Sequence, residues 1–175
     1  MPRARQPRTI QVSWDEYFQL ITRLAKELYK NSLQYDMVVG IANGGLVPAL
    51  IISYLLGLPV GYIAARSYRA PKGSLRRSVR DRVVLSRSLC TTAKVGRTIL
   101  LVDDITDSGT TMERSMAWLR ERYPRLRAIV TATIWHKTCS DYEPDFAAQL
   151  LKPHHGQWPW IVQPMERQFE EQPFE

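Results

Sequence analysis

Cysteine is scarce in this 175-residue chain: Cys90 and Cys139 are the only two, and neither sits in a CxxC pair. That count excludes a disulfide framework and gives no zinc-ligand spacing. Both thiols read as ordinary residues of a reducing compartment, so a cytoplasmic location is the default expectation. A continuous apolar run of about 20 residues, the length of a membrane span, is also missing. The best stretch, Leu46 to Ile63, is interrupted by Pro48, Gly57 and Pro59. No apolar segment follows the basic start at Arg3, Arg5 and Arg8, which speaks against a secretory signal. Internal repeats and low-complexity segments are absent. Acid is in deficit, with 17 Asp and Glu against 24 Lys and Arg, a formal charge of +7. The excess favours anionic partners such as phosphorylated metabolites or nucleic acid.

What is present fits one globular domain. Apolar residues are 45% and charged residues 23%, close to the globular average and far from a disordered composition. A chain of this length buries roughly 70% of its unfolded surface, enough for a core without staples.

Ser13 followed by Glu16 reads as a capping box, and Tyr17, Leu20, Ile21, Leu24 and Leu28 then follow helical spacing to about Asn31. Met37 to Ala42 is a short apolar run of the kind a buried strand shows. Asn43-Gly44-Gly45 is a turn, and Pro48 to Leu56 a helix stopped by Gly57. Val60 to Ala65 and Val83 to Leu85 are strand candidates around an exposed, charged loop at Ala70 to Ser78. Thr98 to Asp103 is the clearest strand; a polar loop from Ile105 to Thr111, a helix to Tyr123 and a strand from Ala128 to Trp135 follow. The remainder, from Cys139, reads as irregular. Strands alternating with helices predict an α/β fold with a mainly parallel sheet.

The segment Ile99 to Thr111 carries the chemistry. A hydrophobic strand ends in two acids, Asp103 and Asp104, and a loop of Asp107, Ser108, Gly109, Thr110 and Thr111 opens the next helix. Ligands of open α/β sheets bind at the carboxyl ends of strands. Small residues let a backbone approach a phosphate, and a helix N-terminus adds a positive field. The paired acids suit ribose hydroxyls or a hard cation such as Mg2+. A Walker A loop is excluded, because no lysine follows the second glycine position.

Val102 to Thr111 resembles the phosphoribosyl-diphosphate (PRPP) signature of the type I phosphoribosyltransferases. Further segments match in order. Gly40 to Pro48 resembles the family's pyrophosphate loop. Arg66-Ser67-Tyr68 and the basic stretch behind it resemble the mobile catalytic loop, and Ile134 to Lys137 the strand whose lysine contacts the purine 6-oxo group. Trp158 to Pro164 resembles the C-terminal hood of the 6-oxopurine enzymes, especially bacterial xanthine-guanine phosphoribosyltransferases. The resemblance covers roughly Val12 to Glu166. It implies a parallel, five-strand-type phosphoribosyltransferase core at 12–138 with a mobile loop at about 68–82. A basic tail at 1–11 would precede the core, and a small C-terminal hood and tail at 139–175 would follow it.

The implied reaction is transfer of the 5-phosphoribosyl group from PRPP to guanine, xanthine or hypoxanthine, with Mg2+, releasing pyrophosphate in purine salvage. Asp107 to Thr111 would cradle the 5-phosphate, and Asp103 and Asp104 would hold the ribose hydroxyls directly or through Mg2+. Asp107 matches the position of a general base near the purine N7. Asn43, Gly44 and Gly45 would bind pyrophosphate, with Arg66, Ser67, Tyr68 and Arg69 closing over it. Many family members carry Arg or Lys where Asn43 stands, so that side chain contributes less here. Lys137, Trp160 and the Ile161 backbone would hold the purine, and His154 and His155 would be solvent-exposed bystanders. Family members are usually dimers or tetramers, and a homo-oligomer is the corresponding expectation.

Two other readings stay open on the sequence. The charge of +7 also fits a PRPP- or nucleotide-sensing regulator that binds nucleic acid on the same fold. No separate nucleic-acid-binding domain accompanies the core, and the Lys/Trp pair of the hood favours the enzyme. A phosphoribosyltransferase with a different acceptor base is the third, since fold does not fix substrate.

Overall fold

The computed structural model describes residues 9–68 and 82–166. The elements are β1 (Thr9–Gln11), α1 (Trp14–Lys30), β2 (Met37–Ala42), α2 (Leu46–Leu56), β3 (Val60–Tyr68), β4 (Arg82–Leu85), β5 (Thr98–Thr106), α3 (Thr110–Arg122), β6 (Ala128–Lys137), β7 (Phe146–Leu151) and β8 (Trp160–Val162). The main sheet has six strands in the order β4-β3-β2-β5-β6-β7. All its pairings are parallel except β3 with β4. This is the expected α/β core, one strand wider than the five expected.

Local chemistry sets the elements. The Ser13 hydroxyl accepts from the Glu16 N–H at 3.2 Å, and the Glu16 carboxylate accepts from the Ser13 N–H at 2.8 Å, so the capping box forms. Helix α1 buries Tyr17, Ile21, Leu24, Ala25 and Leu28 in one stripe. The central strands β2, β5 and β6 are buried along most of their length, because helices or other packed segments cover both sides. One core cluster joins α1 and α2 to Leu100, Val102 and Trp135; the other joins α3 to Met37, Val39, Ile99 and Leu101 on the opposite face.

Two expected boundaries shift. Thr9–Gln11 is not part of a tail: it forms β1, parallel to β8, with Ile10 opposite Ile161. The segment after Cys139 is not irregular throughout. Phe146–Leu151 adds β7 to the edge of the main sheet, with Thr133 opposite Ala147, so the sheet continues past 138. The long-range pairing of β1 with β8 fastens the C-terminal segment to the strand that leads into α1. Most of the mobile-loop expectation, and Arg69 with it, lies outside the described residues, as do residues 1–8 and 167–175.

Candidate active site

Strand β5 ends between two loops that bring the acids and the small residues together. Asp103 and Asp104, the segment Thr106 to Thr111, Trp135 and Lys137 of β6, and Trp160, Ile161 and Gln163 of the C-terminal segment line one cavity of about 280 Å3. It opens at the carboxyl end of the parallel strands, the place where such sheets bind ligands.

The floor is the acid pair. Asp103 is buried at 9% exposure, and its Oδ1 accepts from the Asp104 N–H at 3.0 Å. Burial first, and then the neighbouring Asp104 charge, hold the Asp103 carboxyl well above the ordinary carboxylate range. One Asp104 oxygen accepts from the Ile105 N–H at 2.8 Å, and the other accepts from the Gln163 amide. These are hard oxygen donors beside the cavity. The described residues contain no cluster of three or more His, Cys, Asp or Glu able to hold a metal alone. The two carboxylates of Asp103 and Asp104 fit Mg2+, which is commonly held by one or two carboxylates while substrate and water oxygens complete its shell.

The expected anion cradle is the N-terminus of α3. Gly109 is the N-cap at φ 85° and has no side chain to cap the helix. Its left-handed conformation suits glycine, and a Cβ there would overlap the Cβ of Tyr142. The Ser108 hydroxyl bonds the Thr110 hydroxyl at 3.1 Å. Tyr142 is itself tied to Thr131 at 3.0 Å, so the loop after β6 buttresses the cradle from behind. Gly109→Ala is expected to cost at least about 1–2 kcal/mol from the backbone alone, read as a lower unfolding midpoint; an unchanged midpoint would contradict this packing.

Lys137 and Asp107 meet across the cavity at 3.1 Å, with side-chain exposures of 8% and 38%. A lysine this buried requires a partner, and the putting together of these two residues, thirty positions apart, was invisible in the chain. Trp160 lines the cavity and is 56% exposed. Trp158 is half-buried, and His154 and His155 are exposed as expected.

The pyrophosphate-loop residues are placed differently. Asn43 is exposed, the Ala42–Asn43 peptide is cis, and none of Asn43, Gly44 and Gly45 lines the cavity. Gly44 packs so closely on the Asp104 carboxyl that a Cβ would overlap it. The Gly45 N–H donates to the Ile41 carbonyl at 2.8 Å, a bond of the turn between β2 and α2. Arg66 is exposed on β3, whose backbone continues through Ser67 and Tyr68.

Two residues without an assigned role in the sequence enter the site. Gln163 bonds Asp104, and Tyr17 donates its hydroxyl to Gln163 at 3.2 Å. Burial, then the charges of Asp104, Asp103 and Glu166, push the Tyr17 phenol far up, so it keeps its proton as donor. The Tyr17 ring stacks on Trp135 with centroids 5.6 Å apart and planes 16° apart. No signal in the sequence marks either residue, because both contacts depend on β8 folding back onto α1.

A parallel sheet with paired acids at a strand end, a small-residue loop opening a helix and an aromatic cover suits a phosphorylated, hydroxyl-bearing ligand. Comparison with known proteins gives the family. The family model described as "Phosphoribosyl transferase domain" matches residues 13–170, and the chain belongs to that family of transferases. It is 31% identical over 154 residues to a xanthine-guanine phosphoribosyltransferase of Idiomarina loihiensis, covering 85% of this chain and 84% of that one. A solved purine phosphoribosyltransferase from Pyrococcus horikoshii Ot3 superposes with a TM-score of 0.68 at 27% identity, covering 90% and 94% of the two chains. The xanthine-guanine-hypoxanthine enzyme of Helicobacter pylori shares the fold, with a TM-score of 0.71 at 22% identity over 92% and 96% of the chains.

Proposed function

We propose that the protein transfers the 5-phosphoribosyl group of PRPP to a 6-oxopurine, forming a nucleoside monophosphate and pyrophosphate. The observation that carries this reading is the shared cavity. Its floor is the acid pair, one end is the α3 cradle, and the opposite walls are Lys137 and the Trp160-Ile161 hood. The xanthine-guanine and purine enzymes among the relatives support the same substrate class.

The chemistry is displacement at the ribose anomeric carbon. The bond to pyrophosphate breaks as a purine nitrogen bonds the same carbon, through an oxocarbenium-like transition state. Asp107 to Thr111 bind the 5-phosphate with backbone N–H groups and hydroxyls. Asp103 and Asp104 hold the ribose hydroxyls and would hold Mg2+, which neutralises charge on the leaving pyrophosphate when bound. Asn43, Gly44 and Gly45 meet that pyrophosphate, and Arg66, Ser67, Tyr68 and Arg69 close over it. Lys137 donates to the purine 6-oxo group, and Asp107, beside it, accepts a proton from the purine near N7. Trp160 stacks on the base and the Ile161 backbone reads its 2-position. Catalysis here is mostly positioning and charge stabilisation.

The hood in this reading comprises β1, β8 and the chain from Lys152 to Glu166, with the core running from α1 through β7. A homo-oligomer is supported by α2, which leaves Leu50, Tyr54 and Leu55 exposed at 47%, 80% and 47%. No helix among the described residues is long and apolar enough to cross a membrane.

The test is nucleotide formation from PRPP, Mg2+ and a 6-oxopurine. Within it, Trp160→Ala is expected to raise the purine KM about tenfold or more, from lost stacking of about 1–3 kcal/mol, and to leave the PRPP KM within about twofold. Equal effects on both would mean general damage to the hood.

A further inference from the structure

We propose that Gln163 is a positioning residue for the ribose-binding carboxylate Asp104, and that with Tyr17 it links the purine hood to the PRPP half of the site. The inference rests on the purine phosphoribosyltransferase reading and extends it to two residues that reading does not use.

The geometry is specific. Gln163 follows β8 directly, two residues after Ile161, and is buried at 7% exposure. Its backbone is fixed by two bonds: its N–H donates to the Glu166 carboxylate at 2.9 Å, and its carbonyl accepts from the Glu166 N–H at 3.1 Å. Its side-chain amide donates to Oδ2 of Asp104, while Oδ1 of Asp104 accepts from the Ile105 N–H. A carboxylate only accepts, so the NH2 end of Gln163 must face Asp104 and its Oε1 must face away. Oε1 then needs a donor, and the Tyr17 hydroxyl supplies one at 3.2 Å. The order of donors along Tyr17, Gln163 and Asp104 is therefore set by chemistry rather than by choice of amide orientation.

The consequence is mechanical. Gly44 packs on one side of the Asp104 carboxyl, Ile105 holds one oxygen, and Gln163 holds the other. Together they fix the carboxyl plane that meets the ribose hydroxyls. Tyr17, which orients Gln163, also stacks on Trp135 in the cavity wall. One buried chain of contacts thus runs from the hood and the wall of the base pocket to the ribose carboxylate, and hood position is felt at the PRPP site.

Three variants test this: Gln163→Leu removes both side-chain bonds at similar size, Gln163→Glu sets an acceptor against an acceptor, and Tyr17→Phe keeps the stack and drops the hydroxyl. PRPP affinity is measured directly by calorimetry with Mg2+, beside the KM of each substrate and kcat. Loss of a hydrogen bond to a charged group predicts about a tenfold weaker PRPP Kd for Gln163→Leu, and more for Gln163→Glu. Tyr17→Phe is expected to weaken it by about threefold, and the Tyr17→Phe/Gln163→Leu pair to bind no worse than Gln163→Leu alone, because both act through one chain. The purine KM is expected to stay within about twofold. A PRPP Kd within twofold of the parent in both Gln163 variants would overturn the proposal. So would a purine KM that rises in step with the PRPP Kd, which marks a merely structural role in the hood. If Gln163→Leu does not fold, Tyr17→Phe carries the same comparison. A parent protein that binds PRPP but turns over no 6-oxopurine would refute the base assignment alone, and the calorimetric series would still decide the role of Gln163.

Discussion

Asp104→Asn is expected to lower kcat/KM for PRPP by about a thousandfold, the scale seen when a preorganised electrostatic contact to a reacting centre is lost, with the fold retained. Both Asp104 oxygens are in use, one by the Ile105 N–H and the other by Gln163. An asparagine can satisfy only one of these donors with its oxygen, and turns its NH2 against the other. The carboxyl plane is lost together with its charge. Asp103→Asn is expected to be as damaging to turnover but opposite in stability. Its carboxyl is held high by burial and by Asp104, so the folded state keeps a proton that the unfolded state releases. Folding stability contributed by this group is therefore full below about pH 4 and declines as pH rises from there toward its raised value. Asparagine removes that decline. The variant is expected to unfold at a higher temperature than the parent at neutral pH, with a flatter pH dependence, measured by thermal denaturation across pH 4 to 8. Near-parental turnover in either variant would mean that the acid pair does not serve the ribose or the metal.

The second large effect lies in the Lys137–Asp107 pair, and it is asymmetric. Lys137→Met is expected to lower kcat/KM for the purine about a hundredfold through the lost bond to the 6-oxo group. Asp107 is 38% exposed, so its charge stays partly hydrated and stability changes little. Asp107→Ala does the reverse to the fold. It leaves the Lys137 ammonium, at 8% exposure, without its carboxylate, and breaking a buried pair from one side costs on the order of 3 kcal/mol. Chemical denaturation of the two variants checks the asymmetry. Equal losses of stability would show that Lys137 finds another anion or water when Asp107 is removed.

Much of this site was legible along the chain because its parts are local. The acids, the small-residue loop and the start of α3 are contiguous, and strand-to-helix geometry alone delivers them to one place. The capping box of α1 was legible for the same reason, being complete within four residues. What could not be read depends on chain return. Strand β1 is three residues long, and its pairing with β8 spans most of the sequence. Strand β7 mixes exposed and buried positions in a segment rich in acid and proline, so its pattern was too weak to separate from loop. The link from Asp104 to Gln163 joins residues 59 apart, and nothing near either one announces the other. The bond from the Gly45 N–H to the Ile41 carbonyl was hidden for a different reason: a glycine beside a phosphate loop and a glycine inside a tight turn look alike in sequence.

The central claim is that one cavity joins PRPP to a 6-oxopurine. The most direct measurement offers guanine, xanthine, hypoxanthine, adenine, uracil and orotate separately, with PRPP and Mg2+, and follows nucleotide and pyrophosphate release. The account predicts turnover with one or more of the three 6-oxopurines, with uracil and orotate poorer, and adenine at least about a hundredfold poorer because the donor role proposed for Lys137 needs an oxo acceptor. Turnover of adenine, uracil or orotate in preference, or of none of the six despite PRPP binding, would contradict it; steeply salt-dependent nucleic-acid binding in the latter case would move the assignment to a regulator on the same fold.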